Sequence, residues 1–232
     1  VPVLDRLMLA GEFALMVLIV VLSIKYKKYP VVLLSVGQTG LLAWSELACP
    51  VESPTHLRLD CLSMLMIMIV ALVGGLICIY AVGYMKAYHQ HHTEYQDRSG
   101  FFFSMLFFFL AAMIGLVLSE NLVWMYFFWE ITSVISFLLI GYTRTEEAVH
   151  NSFRALWMNL LGGLGFAIAL VVAAHTQHTV QLSELVAAKA TIPVVLLAFA
   201  ALTKSAQLPF SSWLLGAMVA PPPSSALLHS AT

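Results

Sequence analysis

Seven long apolar runs dominate this sequence of 232 residues, and they restrict the available folds more than any other feature. An α-helix rises about 1.5 Å per residue, so about 20 mainly apolar residues are needed to cross the hydrocarbon layer of a bilayer. The runs occupy residues 7–24, 31–47, 62–85, 101–118, 122–142, 152–174 and 193–215, and a further segment starts at about Ser224. They predict an all-α fold: a polytopic membrane helix bundle of about seven transmembrane helices plus the start of an eighth.

The composition supports a membrane protein and excludes several other classes. Charged residues make up 10% of the chain and hydrophobic residues 61%, whereas soluble domains carry about 25% charged residues. A net charge of −1 excludes the basic surface that nucleic-acid binding requires. The cysteines, Cys49, Cys61 and Cys78, form no CxxC motif, and the sequence contains no phosphate-binding loop or nucleophile motif. The first run contains Glu12 and precedes further spans, which predicts a membrane helix rather than a signal peptide.

The distribution of basic residues predicts the orientation. Connections 25–30, 86–100 and 143–151 lie on one side of the membrane and, together with Arg154, contain seven of the eleven Lys and Arg residues. The positive-inside rule makes this side cytoplasmic. We expect a protein integral to the cell (inner) membrane of a prokaryote, and the charge distribution predicts that its N-terminus lies outside, in the periplasm if the cell is Gram-negative.

Two features predict close helix contacts. Only Ser119, Glu120 and Asn121 separate the fourth and fifth runs, so those two helices must be antiparallel neighbours. The glycine-rich segment 162–165 lets the sixth helix approach a partner closely, because helix packing in lipid relies on small residues.

Two charged residues lie deep within the predicted spans. Glu130 follows an aromatic stretch in the fifth run, and Lys204 lies midway along the seventh. A charge at this depth costs a few kcal/mol, so each residue needs a reason to be there. One reading is a buried ion pair that fixes helix register. The other is a proton relay, because burial disfavours both charged forms while mutual attraction favours them, and a buried lysine can titrate where an arginine would stay charged.

The seventh run is also predicted to be broken. Pro209 lacks a backbone N–H and clashes with the preceding turn, so the helix should kink or unwind about one turn after Lys204. Broken helices at membrane depth form ion sites where they line protein or a wet cavity. His229 follows a proline-rich stretch and would enter the eighth helix; it is either a packing residue or a relay group.

Other polar residues carry weaker signals. The group His89, His91, His92, Glu94 and Asp97 lies in an aqueous loop and matches no strong metal motif, so a solvated loop is favoured and no metal site is predicted. The carboxyls of Glu12 and Glu46 are predicted to lie toward span ends, where they can reach interfacial water.

Several motifs resemble the signature of the antiporter-like subunits of respiratory complex I. One begins with LTKSAQLPF at residues 202–210, continues through Trp213, Ala217 and Ala220, and ends with SALLHSAT at 225–232. Another joins GLVLSENL at 115–122 to FWEIT at 128–132 and FLLIG at 137–141, and is similar to the family's fifth-helix motif. The resemblance covers the chain from about residue 62 to its end. Segment 153–165, FRALWMNLLGGLG, resembles the energy-converting [NiFe] hydrogenase branch most, together with the large subunit of multisubunit cation/proton antiporters.

The resemblance implies specific roles for the buried polar residues. Glu130 would tune the proton affinity of Lys204, Lys204 would accept and release the translocated proton, and His229 would pass it onward. The resemblance also implies that this chain binds no redox cofactor or metal. Iron–sulfur clusters and, in the hydrogenase branch, a [NiFe] centre are expected in partner subunits. Expected partners are other membrane and peripheral subunits, the lipid bilayer, and protons or Na⁺ as the transported ion.

The family pattern also predicts the organisation of the chain. Residues 1–100 would form three N-terminal transmembrane helices, and residues 101–232 the first antiporter-like repeat, helices four to eight with the last incomplete. The chain stops at Thr232, inside the expected eighth helix, so we expect the native chain to be longer. The sequence leaves three functions open: a redox-driven proton or sodium/proton pump of the hydrogenase type, a multisubunit antiporter without a redox partner, and a scaffold in which Glu130 and Lys204 are only a structural pair.

Overall fold

The computed structural model describes residues 2–48, 50–51, 55–92 and 96–231. Within these ranges the chain forms ten α-helices and no β-strand. The helices are α1 Pro2–Lys25, α2 Tyr29–Ala48, α3 Cys61–His91, α4 Ser99–Leu118, α5 Leu122–Ile140, α6 Glu146–Gln177, α7 Leu182–Ala187, α8 Thr191–Lys204, α9 Ser212–Gly216 and α10 Pro222–Ala231. Cys49, Glu94 and Thr232, to which the sequence analysis refers, lie outside the described residues.

Six helices, α1 to α6, are long and apolar enough to cross a membrane among the residues the structure describes. They coincide with the first six predicted runs, which confirms the polytopic helical bundle. Helix α6 starts six residues earlier than its apolar run because Thr145 caps it: the Thr145 side chain accepts a hydrogen bond from the Ala148 N–H, and two glutamates occupy the first turn. Polar caps thus extend a helix beyond its apolar run.

The seventh predicted span, residues 193–215, is not one helix in the structure. Helix α8 has 14 residues. It ends in a Schellman C-cap, in which Gln207 N–H donates to Leu202 O (3.1 Å) and Ala206 N–H donates to Thr203 O (3.3 Å). Ala206 takes the left-handed conformation (φ 51°) that this motif requires. Lys204 is therefore the last residue of α8 rather than a mid-helix residue, and the helix ends five residues before Pro209.

Helix α6 lies at the centre of the bundle and packs against α2, α5 and α8. The predicted neighbours α4 and α5 pack against each other directly, and Asn121 in their short connection caps α5 by accepting from Val123 N–H at 2.8 Å. The same connection is tied down by Glu120, which lies 3.9 Å from Arg58 and accepts from Ser183 N–H at 2.9 Å. One end of the bundle is thus closed by polar contacts.

The glycines of α6 explain how closely α8 approaches it. A Cβ atom added to Gly162 would lie 1.9 Å from Thr203 Oγ1, and one added to Gly165 would lie 2.8 Å from the Phe199 ring. Both α8 side chains therefore occupy space that only glycine leaves free. The predicted close approach of the sixth helix to a partner is confirmed, and the partner is α8.

Gly162→Ala is expected to destabilise the protein by about 1–3 kcal/mol, because the added methyl group must push Thr203 and the end of α8 outward. The measurement is the thermal unfolding midpoint of the purified complex in detergent. Gly75→Ala is the matched control, since no atom lies within 4 Å of its added Cβ. Equal midpoints for the two variants would show that α6 and α8 are not tightly packed there.

Candidate functional site

Glu130 is buried in the middle of α5, with 2% of its surface exposed. Its carboxylate oxygen Oε1 accepts a hydrogen bond from Gln38 Nε2 on α2 at 3.1 Å. The Tyr126 hydroxyl, one turn earlier on α5, also interacts with this carboxyl but lies outside ordinary hydrogen-bond geometry. A carboxyl group is therefore held away from water by three helices and has one well-formed polar partner.

Gly163 on α6 leaves the space that this carboxyl occupies. A Cβ atom at position 163 would lie 2.8 Å from Glu130 Oε1 and 2.9 Å from Gln38 Oε1. Both oxygens thus converge on the same point of the α6 backbone. The central glycine of the segment consequently serves the polar site, while Gly162 and Gly165 serve the packing of α8.

Lys204 reaches across from the end of α8 to α5. Its ammonium Nζ donates to Ser133 Oγ at 2.8 Å and to the Trp129 carbonyl oxygen at 3.4 Å, and it lies 5.1 Å from the centre of the Trp129 ring. A hydroxyl, a carbonyl and an aromatic face all stabilise a cation. The C-terminal end of α8 adds to this, because the partial negative charge of a helix end favours a positive group.

Glu130 and Lys204 face the same stretch of α5 without forming a direct ion pair. They interact electrostatically, but no N–O distance between them falls within 4.0 Å, although ion pairs of that length occur elsewhere in the described ranges. The lysine contacts residues 129 and 133, which flank Glu130 by one residue on one side and three on the other. The structure therefore places the two predicted residues within electrostatic reach of each other but without direct contact.

Glu12 is the site residue that the sequence analysis placed wrongly. It was expected near a span end with access to interfacial water, but it lies in the middle of α1 with 5% of its surface exposed. Its carboxyl interacts electrostatically with Glu130. Glu46, by contrast, is exposed near the end of α2, as expected.

His229 and the loop histidines lie apart from this pair. His229 is exposed on α10, a helix that packs mainly against α3. The hydrogen bonds of Lys204 go to Ser133 and Trp129 rather than to His229. His89 lies 3.1 Å from the Tyr142 hydroxyl and 3.4 Å from Asp97, where hydrogen bonding lowers the Asp97 pKa, chiefly through Ser99. Within the described ranges no group of three or more His, Cys, Asp or Glu residues could hold a metal ion.

Four residues of the site were not predicted from the sequence to belong to it: Gln38, Trp129, Ser133 and Gly163. Ser133 could have been found from spacing, since a residue three positions after Glu130 lies on the same face of the helix, and Trp129 lies one turn before Ser133. Gln38 could not, because its role depends on how α2 is rotated against α5.

For the proton transport that the family resemblance implies, Ser133→Ala is expected to lower the rate several-fold, because it removes the shortest hydrogen bond to the Lys204 ammonium, and bonds to charged groups contribute about 1.5–3 kcal/mol. The charged lysine loses stabilisation, so transport should fall at a lower pH on the alkaline side of its profile. The measurement is the pH profile of ion transport in membrane vesicles. Ser136→Ala is the control, since Ser136 bonds only the Thr132 carbonyl of its own helix; coinciding profiles for both variants would remove Ser133 from the site.

Comparison with known proteins places this arrangement in a family. Residues 119–232 match the family model described as NADH:quinone oxidoreductase/Mrp antiporter, TM. Residues 44–96 match the model described as NADH-Ubiquinone oxidoreductase (complex I), chain 5 N-terminus. The first of these matches includes both Glu130 and Lys204. The chain belongs to the complex I/Mrp antiporter-like superfamily of membrane proteins.

Particular relatives include subunits of cation antiporters. The chain is 38% identical over 185 residues to the Na(+)/H(+) antiporter subunit A1 of Staphylococcus haemolyticus and 35% identical to that of Staphylococcus aureus. Each alignment covers 76% of this chain and 22% of the relative, so the chain spans about a fifth of their length.

Solved structures show the same fold. The Mrp complex from Dietzia sp. DQ12-45-1b matches with a TM-score of 0.63 and 29% identity, covering 97% of this chain and 26% of that one. The membrane-bound sulfane sulfur reductase, an archaeal respiratory membrane complex, matches with a TM-score of 0.64 and 15% identity, covering 96% and 49%. At 15% identity the second likeness concerns the fold alone. In sequence and fold the chain is thus antiporter-like, and its homologues are subunits of multisubunit complexes.

Proposed function

We propose that this chain moves protons across the membrane, with Lys204 as the group that takes up and releases the proton and Glu130 as the carboxyl that sets its proton affinity. The observation that carries the proposal is the geometry of the pair. A titratable ammonium and a buried carboxyl sit on facing helices, within electrostatic reach and without a direct contact. A purely structural ion pair gains most from direct contact, whereas a separated pair can respond to a proton on either member.

The surroundings of Lys204 fit a group that changes charge. The Lys204 ammonium has three N–H groups and donates hydrogen bonds to two acceptors, the Ser133 hydroxyl and the Trp129 carbonyl. A neutral amine keeps two N–H donors, so loss of a proton need leave neither acceptor without a donor. The end of α8 stabilises the charged form, and burial opposes it.

We propose further that His229 passes the proton onward. Its exposed imidazole on α10 is available to groups on a neighbouring segment, and histidine is a common proton shuttle in proteins. The direct partner of Lys204 would then be water rather than His229.

Two energy sources fit the proposal. The names of the Staphylococcus relatives favour exchange of Na⁺ for H⁺ driven by ion gradients alone. The segment 153–165, which resembles the energy-converting hydrogenase branch, favours a pump driven by electron transfer in partner subunits. In the second case iron–sulfur clusters and a [NiFe] centre would reside in those partners and not in this chain.

Inside-out vesicles from cells that express the parent complex test both. A Na⁺ pulse without any electron donor should move protons if the complex is an antiporter, and an electron donor should be required if it is a redox pump. Iron and nickel measured in the gently purified complex give an independent answer. Absence of proton movement under both conditions would overturn the proposed function.

We also propose that the N-terminus lies outside the cell, because the basic connection after α1 should be cytoplasmic. In a variant whose native cysteines are replaced by serine, a membrane-impermeant thiol reagent should then fail to label Lys27→Cys in intact cells and should label it in inside-out vesicles. Labelling in intact cells would reverse the orientation.

A further inference from the structure

Glu12 on α1 is a buried carboxyl that the proposed mechanism does not use. It is 5% exposed, and its Oε1 atom has no hydrogen-bond partner. Helix α1 presses closely on α5 at this level, since a Cβ atom on the neighbouring Gly11 would lie 2.7 Å from the Phe127 ring. The carboxyl is thus held against the face of α5 that carries Tyr126 and Glu130, the two titratable groups with which it interacts.

The charges of the buried site do not balance. Within the described spans, Glu12 and Glu130 are the buried carboxyls, and Lys204 is the cation that interacts electrostatically with Glu130. If all three were charged, the site would carry one uncompensated negative charge in a medium of low dielectric constant. Such a charge is strongly disfavoured, and two like charges in one site disfavour it further. One additional proton makes the site neutral.

The hydrogen-bond inventory points to the same deficit. Gln38 Nε2 donates a hydrogen bond to Glu130 Oε1. Gln38 Oε1 and Glu12 Oε1, by contrast, are buried and accept no hydrogen bond. Gln38 is 2% exposed, so bulk water does not satisfy it. Two buried acceptor oxygens, one on Gln38 and one on Glu12 itself, therefore have no hydrogen-bond donor, and unpaired buried acceptors are costly.

We propose that Glu12 is a second proton-exchanging carboxyl, and that Glu12 and Glu130 hold one exchangeable proton between them beside Gln38. This inference rests on the proposed function and adds a proton-loading step before Lys204. In the exchange, the O–H bond of a protonated Glu12 breaks as an O–H bond forms on the Glu130 carboxylate, directly or through water. Glu12 becomes the carboxylate, and no electron is transferred.

The test compares the pH profile of proton transport in vesicles that contain the whole parent complex. Glu12→Gln keeps the size of the side chain and removes the titration, Glu12→Asp keeps the carboxyl, and Glu46→Gln is the control for a carboxyl exposed on the neighbouring helix. Without Glu12, Glu130 loses its like-charged neighbour and gives up its proton more readily. The acidic limb of the profile should then shift to lower pH by about one unit, with Glu12→Asp and Glu46→Gln close to wild type.

Coincidence of the Glu12→Gln and wild-type profiles would overturn the proposal and make Glu12 a neutral packing residue. A changed Na⁺ requirement with an unchanged pH profile would also overturn it, because Glu12 would then be a sodium ligand. If Glu12→Gln fails to assemble, Glu12→Ala decides in its place, since it also removes the titrating carboxyl, and an acidic limb that coincides with that of wild type would again overturn the proposal. Glu130→Gln, measured in parallel, separates this inference from the proposed function: if both variants leave transport intact, the proposed function itself fails.

Discussion

Lys204→Ala is expected to lower ion transport by the parent complex by about 100-fold or more while the complex remains assembled, the effect typical of removing a positioned proton-transfer group. The side chain contributes the ammonium that bridges α8 to Ser133 and Trp129, and alanine offers no titratable replacement. The measurement is proton movement in vesicles, followed with a pH-sensitive dye, at matched amounts of complex.

Lys25→Ala provides the matched control for this variant. Lys25 is also the last residue of a helix, α1, but it is exposed. Removing it takes away a lysine at a helix end without touching the buried site. Equal loss of transport in both variants would indicate a general effect of removing basic residues at helix ends.

Glu130→Gln is expected to reduce transport nearly as much. Glutamine preserves the volume beside Gly163 and can still bond Gln38, but it carries no charge with which to influence Lys204. Glu130→Asp should retain a measurable fraction, because the charge survives while the shorter side chain retreats from Gln38. Glu46→Gln is the control, since that carboxyl is exposed near the end of α2. A fully active Glu130→Gln variant would remove the carboxyl from the mechanism.

The apolar runs were enough to predict the six long spans, because a lipid environment demands uninterrupted apolar helices. They could not predict where α8 ends. That end depends on the left-handed backbone of Ala206 and on two hydrogen bonds, whereas the sequence offered the more visible signal of Pro209. Helix α7 was missed because its six residues are too short to produce a periodic pattern.

The two central residues of the site were found from the sequence because a charge inside an apolar run is costly and therefore conspicuous. Glu12 has the same property, but its nearness to the start of its run suggested that it could reach water. Its burial depends on how α1 packs against other helices, including the close approach of Gly11 to Phe127 on α5, and a single span gives no sign of that packing. Gln38 could not be predicted as a site residue, because an uncharged amide in a span gives no indication of which helix it will contact.

The most direct test of the account is transport by a Lys204→Arg variant in proteoliposomes that contain the purified parent complex. Arginine keeps a positive charge near Ser133 and Glu130 but does not release its proton in a protein. If Lys204 carries the proton, the variant should assemble and yet transport no more than Lys204→Ala. If Lys204 serves only as a fixed positive charge that holds α8 against α5, the arginine variant should transport at the wild-type rate, and that result would contradict the account.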